Sequence, residues 1–239
     1  TALARQHGAR LVGIFAQRGH ARKVGVVSVW PSEEFTLACD TSKAQFEAAT
    51  AGLADSEWRF VNRGGEAEVV RQFVDLARHT DLVVLGQYEH GKDFVPEELV
   101  SEVVIGCGRP VLVVPYIGDF AEVGKFPLIA WNNAPEAARA LNDALAVIQG
   151  CQKAYVVSVA TRLDEGEATC AEVQRHLATH GIPVATEVVL VEDFGVMDML
   201  LNRASDRSAD LLVMGAHGSI GFPFESRVAG TRYILRHMT

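Results

Sequence analysis

The chain has 239 residues, 49% of them hydrophobic, and a formal net charge of -8. That supplies enough apolar material for one large or two small α/β domains and excludes a disordered chain. The acidic balance argues against a dedicated binder of nucleic acid or of anionic membrane, since both select basic surfaces, and no apolar run is long enough to cross a bilayer.

The residues from Thr1 to Leu11 read as the end of a helix and lack the apolar core of a signal peptide, so the chain is expected to begin inside its first half. A β-branched run at 11–16 predicts the first strand. The basic cluster at 18–23, RGHARK, reads as solvated surface. An insertion follows, VGVVSVWPSEEF and a helix-like stretch to about Leu53. Strands are predicted at 57–61, 81–86 and 110–115, with a helix over 66–80 whose apolar face is Val69, Val70, Phe73, Val74 and Leu76.

A turn-rich segment at 116–126 joins this half to a second, with a boundary near Phe120 that divides the chain into 1–120 and 121–239. Strands at 127–131, 154–160, 185–191 and 210–215 follow, and a helix is predicted from Phe194 to Ala209. Asp81 and Asp210 stand in like places, as do Glu57 and Thr186, at one separation of 129 residues (81 to 210, 57 to 186), which signals an internal repeat. Gly13 and Val156 are 143 apart (13 to 156), so the insertion belongs to the first half. The strand at 127–131 has no counterpart before Thr1 and the strand at 110–115 none after the last helix. Trimming at both ends is the expected reading.

The stretch with most chemistry in it is DLLVMGAHGSIGFPFESRVAGTRYILRH, a strand, a glycine-punctuated loop and a helix expected to begin near Ser226. Gly215, Gly218 and Gly221 permit close backbone approach, and a helix N-terminus offers unpaired N–H groups, so a phosphate could sit there; equally, the glycines could only turn the chain. In open α/β sheets ligands bind beyond the carboxyl ends of strands, which is where this loop leaves.

Gly215 and Gly218, followed by Gly230 and Thr231, resemble the universal stress protein signature, G-x-x-G, nine residues, then G-[S/T]. IAWNNAPEAARALNDAL (129–145), RPVLVVPY (109–116) and TRYILRHM (231–238) are similar to other parts of that family, and the resemblance covers nearly the whole chain in the manner of its tandem bacterial members. It implies an α/β chain of two adenine-nucleotide α-hydrolase-like (Rossmann-like) halves, each a parallel sheet of order 3-2-1-4-5 flanked by helices. It implies ATP or a related adenine nucleotide in one site of the second half. Carried over, Gly215, Gly218, Gly230 and Thr231 would hold phosphates, with Met214, Ala216, His217 and Arg232 beside them, Asn132 at the ribose and Val159 near adenine.

Three departures stand against that. Eleven residues, not nine, separate Gly218 from Gly230; Asn132 replaces the family's acid; and SIGFPFES is apolar where phosphate would favour Lys or Arg. The first half keeps Gly86 and Gly91 but lacks the G-[S/T] pair, and Glu89, Asp93, Glu97 and Glu98 would repel phosphate, so it is expected to be degenerate and to serve only as a packing partner.

Other candidates carry less. His217 to Gly221 spell H-G-S-I-G, near the esterase elbow with Ser219 as nucleophile, but only His237 follows to complete a triad. His176 and His180 have metal-ligand spacing on a helix without a third ligand, and read as solvent-facing. Cys39, Cys107, Cys151 and Cys170 form neither a CxxC pair nor a cluster, so reduced thiols and a cytoplasmic location are expected. Trp30, Trp58 and Trp131 read as packing residues.

Three functions stay open: a stress protein responding to a nucleotide, with weak ATP hydrolysis at most; a ligand-free interaction module; and a hydrolase. The expected partners are a nucleotide and an unidentified protein, with no nucleic acid and no membrane. The halves would form an intramolecular pseudo-dimer, alone or within a homodimer.

Overall fold

A computed structural model describes residues 1–17, 22–24, 27–61, 65–91, 95–120, 122–190, 195–216 and 229–238. The chain divides into two compact units, Thr1–Tyr116 and Ile117–Thr239. The predicted start of the last helix near Ser226 lies outside the described residues, as do His217, Gly218, Ser219, Gly221 and Asp93.

The first unit opens with α1 (Ala2–His7), ended by Gly8 in the left-handed region, and β1 (Leu11–Phe15). The insertion folds as an antiparallel pair, β2 (Arg22–Val24) and β3 (Val27–Val29), and then α2 (Glu33–Thr50). Ser32 caps α2, its hydroxyl accepting from Phe35 N at 3.2 Å, and Glu33 and Glu34 complement the positive end of the helix. The insertion is tied down by aromatic packing: Phe35 lies 5.5 Å from Phe15 and 4.7 Å from Trp30, ring to ring, and Phe46 lies 5.4 Å from Trp58.

β4 (Ser56–Phe60), α3 (Glu66–Ala77), β5 (Val83–Gly86), α4 (Leu99–Gly106) and β6 (Val111–Val114) complete the unit. Phe73, Val74, Ala77, Val83, Leu99 and Val103 form its core, with Ile14 and Val111 packed against it. Ala77, rather than Leu76, completes the buried face of α3 with Val69, Phe73 and Val74, and Leu76 is half-buried.

β1 pairs in parallel with β4, and β5 in parallel with β6. Among the described residues no strand pairs with both β1 and β5, so this unit has two short parallel sheets and a hairpin instead of one continuous sheet.

The second unit has the continuous sheet. Its elements are β7 (Pro127–Trp131), α5 (Pro135–Ile148), β8 (Ala154–Ala160), α6 (Leu163–Thr179), β9 (Val184–Leu190), α7 (Val196–Asp206), β10 (Leu211–Val213) and α8 (Ala229–His237). The strand order is β10-β7-β8-β9, all parallel. Successive side chains of a strand point to opposite faces. Ile129, Trp131 and Val156 therefore pack with Leu141, Ile148, Val173 and Leu177 of α5 and α6, whereas Leu128 and Val157 pack with Leu200 of α7.

Burial on both faces explains why β7 is apolar along its whole length. Its entry is fixed by Asp210, whose carboxylate accepts from Lys125 N at 2.7 Å and from Phe126 N at 2.9 Å. No helix among the described residues is long and apolar enough to cross a membrane.

Candidate functional site

In the second unit the parallel register brings three strand ends to one edge. Ile129 is level with Val156 and Val213, and Trp131 with Ser158. Asn132, Val159 and Met214, each lying just past or at the last residues of its strand, thus gather at the carboxyl edge of the sheet, where loops leave and ligands bind in such folds.

A cleft opens there. Strand ends provide Ala130, Trp131, Asn132, Val159, Met214 and Gly215, and α5 provides Glu136 and Ala137 from its first turn. Met197 and Leu200 of α7 close one side, and Gly230 and Thr231 of α8 another.

Gly215 is required by close approach. A Cβ built on it would lie 2.8 Å from the carbonyl carbon of Glu136 and 3.0 Å from Ala137 N, distances no side chain tolerates against backbone. The strand end after β10 therefore rests directly on the first turn of α5. Thr231 Oγ1 donates to Ala216 O at 2.5 Å, which ties the start of α8 back to the segment leaving β10.

At the end of β7, Asn132 Oδ1 accepts from Ala134 N at 3.3 Å, a local turn that leads into α5, and Asn133 adopts the left-handed conformation that Asn tolerates. Pro135 then opens α5 at a position where its missing N–H is no loss.

Of the residues expected at a nucleotide site, Asn132, Val159, Met214, Gly215, Gly230 and Thr231 line this one cleft. Ala216 touches it through the Thr231 bond. Arg232 is on the exposed side of α8 and is not among the lining residues, and His217 and Gly218 lie outside the described residues. Trp131, Glu136, Met197 and Leu200 are lining residues that sequence reasoning missed. Met197 and Leu200 were accessible as i, i+3 neighbours on a helix already read as amphipathic; Glu136 carried no distinguishing signal.

The described lining is mostly apolar, with Glu136 its one charged side chain. The cleft's volume is about 30 Å³, room for one or two waters. Trp131 is buried and its Nε1 has no hydrogen-bond partner among the described residues.

In the first unit, Glu97 and Glu98 are exposed just before α4, and Glu98 Oε2 accepts from Ser101 Oγ at 2.9 Å. His176 and His180 are exposed and meet edge to face at 4.9 Å between ring centroids, and no cluster of three metal-ligating residues occurs among the described residues.

No family model and no curated protein matches this sequence. Among solved structures, a universal stress protein from Archaeoglobus fulgidus DSM 4304 superposes over 99% of this chain and 88% of its own, with a TM-score of 0.64 at 12% identity. A universal stress protein family member from Burkholderia pseudomallei covers 48% of this chain and 89% of its own at 22% identity, with a TM-score of 0.39, too low for a shared fold to follow from it. The α/β architecture described above, parallel sheets flanked by helices in a Rossmann-like arrangement, is thus one this chain shares with the Archaeoglobus universal stress protein.

Proposed function

We propose that this chain is a tandem universal stress protein whose second unit binds an adenine nucleotide of the ATP type and uses it to bias a protein contact, not to drive a committed reaction. The observation that carries this reading is the convergence of Asn132, Val159, Met214, Gly215, Gly230 and Thr231 on one cleft at the carboxyl edge of the second sheet. These residues come from three strands and a helix spread over about a hundred positions, and a nucleotide needs base, ribose and phosphate contacts from such separate elements. Among the described residues Arg232 is exposed and Glu136 is the one charged side chain lining the cleft, so on this reading the described phosphate contacts come from backbone N–H groups, which favours a responsive site over a hydrolytic one. All four cysteines are free, in keeping with a cytoplasmic protein.

A second reading has its own support. Nucleotide-sized pockets run to roughly 300 Å³ or more, and the cleft has about 30 Å³. A ligand-free interaction module needs no more than that. On the nucleotide reading the cleft widens as ligand enters, so native mass spectrometry of gently purified protein shows an adenine nucleotide, and millimolar ATP raises the melting temperature. A bare mass with an unmoved melting temperature would leave the interaction module.

A further inference from the structure

The last turn of α6 carries two imidazoles that nothing else in the fold uses. His176 and His180 are both exposed, and their i, i+4 spacing sets the Cβ atoms about 5–6 Å apart on one side of the helix. The opposite side is anchored, because Val173, Leu177 and Ile182 lie in the core of the second unit. The helix end is fixed as well. Gly181 N donates to Ala178 O at 3.0 Å and Ile182 N to Leu177 O at 3.1 Å, with Gly181 in the left-handed region, so His180 stands on a closed cap and not on a frayed turn. The two rings meet with centroids 4.9 Å apart and planes at 72°. Neither ring has a hydrogen bond or ion pair among the described residues, and Glu172, one turn earlier, is engaged by Arg175.

We propose that His176 and His180 chelate a divalent transition-metal ion at the C-terminal end of α6. The ring spacing matches what chelation requires. A metal–nitrogen bond of about 2.1 Å sets the ion roughly 3.2 Å from each ring centre, so two rings on one ion, at an angle of about 90–109°, have centroids about 4.5–5.2 Å apart. The observed 4.9 Å lies inside that interval, so the pair closes on an ion by side-chain rotation, without a shift of the backbone. The ion also meets the negative end of the helix dipole, where a cation is stabilised. Imidazole nitrogen favours Cu²⁺, Zn²⁺ and Ni²⁺ over Mg²⁺ and Ca²⁺, which take oxygen ligands. Among the described residues no third His, Cys, Asp or Glu joins the pair. The remaining coordination positions belong to water, which makes the ion exchangeable, unlike a structural zinc held by four protein ligands. The pair shares no residue with the cleft of the second unit, so the site stands whether or not a nucleotide binds there.

The test is titration of the whole, untagged chain with Ni²⁺, followed by calorimetry and by amide NMR. Ni²⁺ is paramagnetic, so binding should broaden the amide signals of residues 173–182 first and leave those of β7 sharp. His176→Ala and His180→Ala should each weaken Ni²⁺ binding by about tenfold or more, because one ligand then acts without the effective concentration of the other. Both positions are exposed, so neither change disturbs the core. Mg²⁺ in about tenfold excess should not compete. Broadening centred on a different histidine, an affinity that either single variant leaves unchanged, or displacement of Ni²⁺ by Mg²⁺ would overturn the proposal.

Discussion

Gly166, in the first turn of α6, illustrates how a single position can defy propensity. Alanine in a helix is favoured over glycine by about 1 kcal/mol. A Cβ at Gly166, however, would lie 2.4 Å from Val188 Cγ1 and 3.1 Å from the Cβ of Ala160, so α6 meets β8 and β9 with no room for it. Overpacking of this kind costs about 1–3 kcal/mol, and the clash outweighs the propensity. Gly166→Ala is expected to lower stability by about 1–2 kcal/mol, read from the urea midpoint at unchanged slope, and Val188→Ala in the same chain should recover part of the loss by vacating the contact. An Ala variant as stable as the natural chain would show that the helix shifts freely on the sheet. Nothing in the local sequence marks Gly166, since its reason is a valine on another strand. Asn132 and Val159 were singled out only through the family resemblance and Gly215 through the glycine-punctuated loop; the strand runs that carry them were legible from their apolar pattern, and the register places all three at one cleft. Trp131 was read as a packing residue, and it does pack in the core of the second unit; that it also borders the cleft follows only from the register of β7 against β8.

At the scale of elements, strands and helices were read from periodicity, and the strands of the structure fall within or one residue beside those runs, as at Pro127–Trp131 and Ala154–Ala160. The hairpin β2 and β3 was hidden inside the insertion because two three-residue strands are too short to show an alternation. The order of the second sheet, β10-β7-β8-β9, is the expected order without its last strand. The first unit's pairs, β4 with β1 and β5 with β6, correspond to the two flanks of that order, and among the described residues no strand joins them. Asp210 shows what such a join needs, since two backbone N–H groups ahead of β7 rest on its carboxylate. Asp210→Ala would leave both donors without a protein partner in a half-buried place, costing about 1–3 kcal/mol. Thermal unfolding should show the loss, with Asp210→Asn, which keeps one acceptor, intermediate. A melting temperature insensitive to both changes would mean that water replaces the carboxylate.

For the whole molecule, the contrast between the sheets implies unequal stability. β7 and β8 each pair with two neighbouring strands and are largely buried, whereas among the described residues β5 has one partner and Val84 is 53% exposed. Amide hydrogen exchange should therefore be slower in β7 and β8 than in β1 and β5. Equal protection in the two units would contradict this. Acid should weaken the fold only modestly. Glu57, Glu68 and Asp164 are held below the usual carboxylate range chiefly by hydrogen bonds from Arg59, Arg71 and Arg162. Their folded values lie beneath their unfolded ones, so the stabilisation is present above the unfolded carboxylate range, about pH 4–4.5, and is lost as pH falls through the folded values beneath it. All three pairs face solvent, so the loss should be small and smaller still in high salt; a melting temperature that rises on acidification would reverse the sign.

Asp210 also dictates an order of events. Its bond to Lys125 joins residues 85 positions apart, so on a ribosome β7 emerges long before the carboxylate that secures its entry. β8 can add to β7 and β9 to β8 as they appear, each next in sequence, but the other edge of β7 waits for β10. Closing a loop of that length is slow relative to local pairing. Through most of the synthesis of the second unit, then, its most apolar strand carries one unpaired edge, and that interval is when a nascent chain of this design is most exposed to misassembly and has most need of a chaperone.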